Sequence, residues 1–259
     1  MARYQIILAY DGTHFFGFQR QGKQRTVQVE VETALRHLGW QGETILAAGR
    51  TDTGVHASGQ VIAFDLDWTH GPEALGKALN AALPPDTAVR AVKEVQASFH
   101  PRYDARERSY CYQIFCEPLR DPLRERYAWR LWPGVDFDLL QAAARYLPGT
   151  RDYSAFGTPP RPGGTTIRTV TTATWRLQAG SLLFEISANA FLYHMIRRVV
   201  FLQVLVGQGR LSLERFALAV EQAQPQTPGL APPHGLNLTR VRYEPSQAEE
   251  QALECAIDL

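Results

Sequence analysis

The chain has 259 residues, of which 45% are hydrophobic and 20% are charged, a composition that argues against an intrinsically disordered chain. Its three cysteines form no Cys-x-x-Cys pair, so neither a disulfide framework nor a zinc site is supported, and a cytoplasmic location is expected. No apolar stretch approaches the roughly 20 residues of a membrane-spanning helix, so we expect no membrane segment.

The net charge is only +1, but it is unevenly distributed. Residues 244–259 contain five acidic and no basic residues, which leaves 27 basic and 21 acidic residues, or +6, for the rest of the chain. Of the basic residues 24 are arginine, whose planar guanidinium can hold a phosphate through two hydrogen bonds. The pattern permits a nucleic-acid partner, although codon bias or thermal adaptation would also explain it.

Alternating apolar residues predict strands, and a 3.6-residue repeat predicts helices. In the first half of the chain these patterns predict the following elements: a strand at 3–10, a helix from Val27 to Gly39, strands at 44–48 and 60–67, a helix at 72–83 and a strand at 87–96. This order, βαββαβ, is the signature of a ferredoxin-like unit.

The second half of the chain repeats the same order. The predicted elements are a strand at 107–116, a helix at 136–147, a hairpin of strands at 167–177 and 182–188, helices at 191–207 and 212–222, and a strand at 238–243. The predicted fold class is therefore α+β, built from two tandem βαββαβ halves at residues 1–101 and 102–259.

The segment 48–59, AGRTDTGVHASG, lies between two predicted strands and combines three glycines with Arg50, Asp52 and His56. Arg50 is near enough in sequence to pair with Asp52 or with a phosphate, and a carboxylate beside a cation can act as a nucleophile. The alternative is a tight turn that Asp52 caps and in which Gly54 is left-handed. His56 could act as a base or metal ligand, but no second histidine stands at ligand spacing, which favours a polar loop residue.

Three other segments contain candidate residues. Residues 102–112 interleave arginines with tyrosines, a composition suited to gripping a nucleic-acid backbone, although an amphipathic strand has the same composition. Arg197 lies among apolar neighbours and needs an anion, either structural or catalytic. Asp65 and Asp67 share one face of a strand, where a solvated strand end is favoured over a hydrolase or magnesium site.

The segment 49–57, GRTDTGVHA, resembles the signature of the tRNA pseudouridine synthase A family. Further segments similar to family motifs follow in the family order: YDGT at 10–13, FGFQ at 16–19, TVQ at 26–28, NAALPPD at 80–86, FHPRYDA at 99–105, YCY at 110–112, FLYHMIR at 191–197 and PPHGL at 232–236. The resemblance implies two α/β halves that share one continuous, mainly antiparallel sheet with helices on one face, which is the pseudouridine synthase fold.

The resemblance also implies a function: a homodimer that converts uridine to pseudouridine at positions 38, 39 and 40 of the tRNA anticodon stem-loop, without cofactor or metal. Asp52 matches the nucleophile and Arg50 the arginine that helps to flip the base. Tyr110 matches a tyrosine that stacks on the uracil, Arg197 the partner of the aspartate, and Leu238 an apolar active-site position. The competing hypothesis is a structured-RNA binding module or tRNA chaperone without turnover.

Overall fold

The computed structural model describes residues 1–244, so most of the acidic segment predicted at 244–259 lies outside the described residues. The strands are β1 (Ala2–Tyr10), β2 (Leu46–Ala47), β3 (His56–Leu66), β4 (Thr87–Val95), β5 (Glu107–Cys116), β6 (Trp129–Leu131), β7 (Gly149–Asp152), β8 (Ile167–Gln178), β9 (Ser181–Ala188) and β10 (Leu236–Arg242). The helices are α1 (Val27–His37), α2 (Gly71–Ala82), α3 (Phe137–Ala144), α4 (Met195–Gly207) and α5 (Leu213–Glu221), with short 3-10 turns at Gly12–His14 and Pro233–Gly235.

All ten strands belong to one sheet, in the order β4-β1-β3-β10-β5-β9-β8-β7, with β2 paired to β3 and β6 to β5. The first half thus has the order β4-β1-β3-β2 and the second half β10-β5-β9-β8, which is the same ferredoxin-like arrangement twice. Pairing is antiparallel except for β10 with β3 and β5 with β6. The predicted α+β class and the continuous sheet are confirmed, while the division at residues 101 and 102 stays a prediction.

The strand register shows that the helices cover one face of this sheet. Residues directly opposite each other in neighbouring strands point to the same side, and one such row runs across five strands: Tyr10, Ala57, Leu238, Tyr110 and Ile186. The first three belong to a core shared with α1 and α2, and Ile186 belongs to a core shared with α3, α4 and α5. Tyr110 packs against both cores, so it lies at the seam between the two halves.

Several element boundaries differ from the predicted ones. Strand β3 begins at His56 rather than residue 60, because His56 and Ala57 pair with β10 although 56–59 lack strand-like alternation. Gly59 permits this pairing, since a Cβ there would clash with the carbonyl of Thr239. Helix α4 begins at Met195 rather than 191, because His194 has a left-handed φ of 64°. The predicted strand at 44–48 shrinks to Leu46–Ala47.

The sequence patterns do not reveal two of the strands, and one further helix and one further strand have shifted ends. Strands β6 and β7 are three and four residues long, too short for alternation to be visible. Helix α3 ends at Ala144 rather than at 147, and β10 begins at Leu236 rather than at 238. Cys111 and Cys116 are free thiols. Within residues 1–244, no helix is both long and apolar enough to cross a membrane.

Candidate active site

The loop between β2 and β3 carries Arg50 and Asp52, and the YDGT and FGFQ segments near the start of the chain hold it in place. The amide of Phe18 donates to the carbonyl of Thr51 at 3.1 Å, and the hydroxyls of Tyr10 and Thr51 are 2.8 Å apart. The amide of Val55 donates to the carbonyl of Asp52 at 3.1 Å, and Gly54 has a φ of 77°, so the predicted turn is present. The turn fixes the backbone and leaves the Asp52 carboxylate free for other contacts.

The Asp52 carboxylate meets two cation-forming side chains from the second half of the chain. Its Oδ2 accepts a hydrogen bond from Nη1 of Arg197 at 3.0 Å, and Nε2 of His194 lies 3.5 Å from the same oxygen. The side chains of Asp52 and Arg197 are 21% and 13% exposed, so the pair is largely shielded from water. Among residues 1–244 nothing hydrogen-bonds to Oδ1, which leaves that oxygen available to a reactant.

Arg197 is oriented by the linker that precedes β10. Its Nε donates to the carbonyl of Ala231 at 2.8 Å, and the amide of Ala231 donates back to the carbonyl of Arg197 at 3.0 Å. The hydroxyl of Tyr112 donates to the carbonyl of Pro232 at 2.7 Å, and the ring of Tyr112 occupies the space where Gly235 would carry a Cβ. Ala231 and the PPHGL segment that follows it therefore act as a clamp that aims the guanidinium at Asp52.

Tyr110 and Leu238 lie side by side at the seam, on β5 and β10. Leu238 is 1% exposed and supports the tyrosine from the neighbouring strand. The half-buried ring of Tyr110 stands edge-on to Phe191, with the ring centroids 5.3 Å apart. Burial raises the pKa of Tyr110, and the nearby Tyr10 and Asp52 add to this effect, so the hydroxyl stays protonated at neutral pH.

Arg50 is exposed, and its guanidinium forms no ion pair with any residue of the described chain, including Asp52. Of the two roles that the sequence left open for it, pairing with the neighbouring aspartate is absent. The structure thus brings Asp52, Arg197, Tyr110 and Leu238 together and leaves Arg50 exposed on the loop that carries Asp52.

His56 is engaged elsewhere, on β3. Its Nδ1 accepts from the amide of Gly12 at 2.9 Å, and its Nε2 lies 3.1 Å from the carbonyl of His234, so the neutral Nε2–H form satisfies both contacts. Burial lowers the pKa of His56, which favours the same neutral form. His56 also lines a cavity of about 440 Å³ that includes none of the five predicted site residues. It is a buried structural histidine rather than the polar loop residue that the sequence favoured.

The remaining acidic candidates are structural. Asp65 forms a two-pronged ion pair with Arg3, with both N–O distances at 2.7 Å, and Asp67 is exposed. Within residues 1–244 no group of three or more His, Cys, Asp or Glu side chains is arranged to hold a metal ion.

Sequence reasoning missed two contributors to the site. His194 belongs to the FLYHMIR segment, but its approach to Asp52 depends on a left-handed backbone conformation. A histidine in the sequence does not predict that conformation. Its ring stacks on Tyr193 with centroids 3.7 Å apart, and burial lowers its pKa despite the opposing effect of Asp52. The second is the Ala231 carbonyl, a backbone group that leaves no trace in the sequence pattern.

Comparison with known proteins adds the decisive observation. A family model described as tRNA pseudouridine synthase matches residues 6–104 and 143–244. The chain belongs to the tRNA pseudouridine synthase family. The members of this family are isomerases, and the matched regions contain Asp52, Arg197 and Leu238 but not Tyr110.

Individual relatives agree over nearly the whole chain. The tRNA pseudouridine synthase A of Streptococcus equi is 39% identical over 94% of this chain and 100% of its own length. That of a Geobacillus strain is 38% identical over 93% and 98%. Among solved structures, a Cbf5–Nop10–Gar1 complex aligns at 12% identity and a TM-score of 0.34. The alignment covers 89% of this chain and 50% of that one, and the structural likeness is weak.

Proposed function

We propose that this protein converts uridine to pseudouridine at positions 38, 39 and 40 of the tRNA anticodon stem-loop, with Asp52 as the nucleophile. The observation that carries the proposal is the 3.0 Å contact between Asp52 and Arg197, beside Tyr110 at the seam of the sheet. Membership in the tRNA pseudouridine synthase family, and relatives named tRNA pseudouridine synthase A, support the reaction and the substrate.

The proposed reaction begins with attack of an Asp52 oxygen on ribose C1′ of the target nucleotide. The bond from C1′ to N1 breaks, and its electron pair leaves with the uracil. The uracil turns in place, its C5 bonds to C1′, and the ester bond to Asp52 breaks. The C5 proton is then lost and N1 gains a proton, so the product is an isomer of the substrate. Attack of Asp52 on C6 of the uracil is the alternative first step.

The geometry supports a division of labour among the neighbouring residues. Arg197 and His194 both face Oδ2, so Oδ1 is the oxygen best placed to attack. Tyr110 offers an uncharged aromatic face on which the uracil can stack, and the buried Leu238 keeps that ring in position.

A uridine within a stem must leave the helix before Asp52 can reach it. Such flipping costs a few kcal/mol, which contacts to the flipped base and to the backbone must offset. Arg50 is exposed on the same loop as Asp52, and we propose that it takes the place of the flipped base. Recognition of an A-form stem rests on shape and phosphate contacts, which suits the arginine-rich body of the chain.

The competing hypothesis, a structured-RNA binder or tRNA chaperone, needs no nucleophile. A binding surface gains nothing from a shielded carboxylate that is held by an arginine and leaves one oxygen free. We therefore favour the enzyme, and tritium release distinguishes the two hypotheses because only turnover displaces hydrogen from C5.

The experiment uses tRNA transcripts labelled with tritium at uridine C5, with a chelator and no nucleotide added. We expect release by the wild type and by Asp67→Asn, an exposed control at 86% side-chain exposure, and none by Asp52→Asn. Asp52→Asn should still bind tRNA within about twofold of the wild type. Absence of release by the wild type with binding retained would favour the binder, and free uracil in the products would indicate a hydrolase.

We further propose that the enzyme acts in the cytoplasm as a homodimer and requires neither metal nor cofactor. The family resemblance supports the dimer, and the unpaired thiols of Cys111 and Cys116 fit a reducing compartment. Light scattering on the purified protein should give twice the chain mass of 29.1 kDa, and a mass of 29.1 kDa would contradict the dimer.

A further inference from the structure

A small surface pocket of about 220 Å³ brings three arginines together: Arg102, Arg161 and Arg168. The remaining lining is Tyr103, Pro159, Pro160, Gly164 and Thr165, so none of the described residues contributes a carboxylate to the pocket. Its volume is below the roughly 300–1,000 Å³ of typical small-molecule sites, which argues against a complete cofactor. Three cationic side chains around one small pocket favour the binding of an anion.

In the part of the chain that the structure describes, the three guanidinium groups lack acidic partners. Neither Arg102 nor Arg161 forms a side-chain hydrogen bond or ion pair with any residue in 1–244. Arg168 is only 7% exposed, donates through Nη1 to the carbonyls of Thr165 and Ile167, and leaves its buried Nε without a partner. Burial lowers the pKa of Arg168, as expected for a cation without a counter-ion. An arginine this deeply buried normally has an anionic partner.

A neighbouring arginine shows what a purely structural role looks like in this chain. The Arg108 guanidinium donates to four carbonyls, those of Ala48, Arg102, Ala105 and Asn189, at 2.6 to 3.2 Å. Its charge is solvated by the backbone, and it does not line this pocket. Arg168 has only two such contacts, both through one nitrogen, and its remaining donors have no partner in the described chain.

The pocket adjoins the two segments that flank Asp52. Arg108 ties the carbonyl of Arg102 to that of Ala48, four residues before Asp52. On the other side, Thr158 forms a bridge with Tyr193, whose neighbour His194 contacts Asp52. Arg168 is two residues before the buried Val170 on β8, so it points to the same, helix-covered face of the sheet as the active site.

We propose that Arg102, Arg161 and Arg168 form a subsite for a backbone phosphate of the substrate RNA, at the rim of the candidate active site. A guanidinium can hold a phosphate through two parallel hydrogen bonds, and the unpartnered Nε of Arg168 would gain an acceptor. Tyr103 is 69% exposed, and its ring is tilted against that of His100 with the ring centroids 4.2 Å apart, so it offers a surface to the adjoining ribose or base. This inference rests on the proposed function for the identity of the RNA.

The test measures binding of an unmodified tRNA transcript to the full chain over a range of salt concentrations. The double variant Arg102→Gln/Arg161→Gln leaves the buried Arg168 in place, since its loss would risk unfolding β8. The charge-matched control is Arg210→Gln/Arg215→Gln, which removes two exposed arginines outside the pocket. Thermal melting of both double variants verifies that they are folded.

We expect the double variant to raise Kd for tRNA at least tenfold near physiological salt, and the control to change it less than threefold. A lost phosphate contact removes about 0.7–0.9 from the slope of the plot of log K against log salt, so the loss of this one contact should lower the slope by about 0.8. Equal effects of the two double variants, or an unchanged slope in the pocket variant, would overturn the subsite.

Two further outcomes would separate the phosphate subsite from the RNA assignment and from the proposed reaction. Inorganic phosphate alone is the second probe, and saturable phosphate binding that the pocket variant loses while it keeps full tRNA affinity would overturn the RNA assignment. Wild-type protein that binds tRNA through these arginines but releases no tritium would support the subsite and refute the proposed reaction. The failure of one proposal is therefore distinguishable from the failure of the other.

Discussion

The Asp52 carboxylate and the Arg197 guanidinium meet at 3.0 Å although 145 positions separate them in the chain. Asp52 comes from the first βαββαβ half and Arg197 from helix α4 of the second. The halves are joined through β10, which pairs with β3 on one side and β5 on the other. The candidate site therefore exists only when both halves are folded and docked through this strand.

The geometry of Arg197 matters beyond its charge. We expect Arg197→Lys to keep a cation near Asp52 but lose the fork that contacts Ala231 and Asp52 together. A shift of about 1 Å in the position of the Asp52 carboxylate is enough to lower turnover about 100-fold, with a smaller change in KM. Single-turnover tritium release measures this, with the neighbouring Arg198→Lys as the control. A rate for Arg197→Lys within threefold of the wild type would refute the clamp.

The stacking role proposed for the Tyr110 ring can be tested separately from its hydroxyl group. If the ring stacks on the uracil, Tyr110→Phe should bind tRNA within about twofold of the wild type, whereas Tyr110→Leu should lose the roughly 1–3 kcal/mol of a stacked base. Because burial raises the pKa of Tyr110, its hydroxyl should not ionise below pH 10. Competition binding and a spectroscopic pH titration check both points. Equal affinity of the Phe and Leu variants would contradict stacking.

Asp11 follows β1 and links the first half of the chain to the second. We expect its contribution to stability to be sensitive to acid. Burial alone would raise its pKa, but hydrogen bonds from Thr13, Arg126 and Tyr127 outweigh burial and hold the pKa well below its usual range. Because the folded-state pKa is depressed, the stabilisation is complete above the unfolded pKa of about 3.9 and is lost as the pH falls below it.

We therefore expect Asp11→Asn to lower the free energy of unfolding at pH 7 and to flatten its decline between about pH 5 and pH 2. Denaturant unfolding over that range measures the effect, and Asp67→Asn, which removes a carboxylate at 86% side-chain exposure, is the control. Parallel curves for the wild type and Asp11→Asn would rule out this linkage.

The sequence predicted those features that depend on a local pattern of side chains. The amphipathic helix α1 and the alternating strand β5 follow from side-chain periodicity, and β5 has the predicted bounds of Glu107–Cys116. Apolar neighbours of Arg197 indicated that it needed an anion, and the family resemblance implied that this anion is Asp52. The structure has the two side chains in contact. The left-handed His194 and the Ala231 carbonyl could not be predicted, because tertiary packing imposes the first and any residue could supply the second.

Gly17 connects the FGFQ segment to the loop that carries Asp52. Its φ is 80°, and a Cβ there would lie 2.8 Å from the carbonyl oxygen of Thr51, whose hydrogen bond with Phe18 anchors the loop. Gly39 ends α1 with a similar φ of 89°, but a Cβ there would meet nothing within 4 Å. The two positions share the backbone strain of a left-handed residue, and only Gly17 adds the collision with the loop.

We expect Gly17→Ala and Gly39→Ala to lose comparable stability from that strain, of about 1 kcal/mol or more each. Gly17→Ala should in addition lower turnover by about 100-fold, because the loop must shift and Asp52 moves away from Arg197. Gly39→Ala should keep near wild-type turnover per folded molecule. Thermal melting and tritium release on the same samples separate the two effects. Equal turnover of the two variants would mean that the FGFQ segment does not position Asp52.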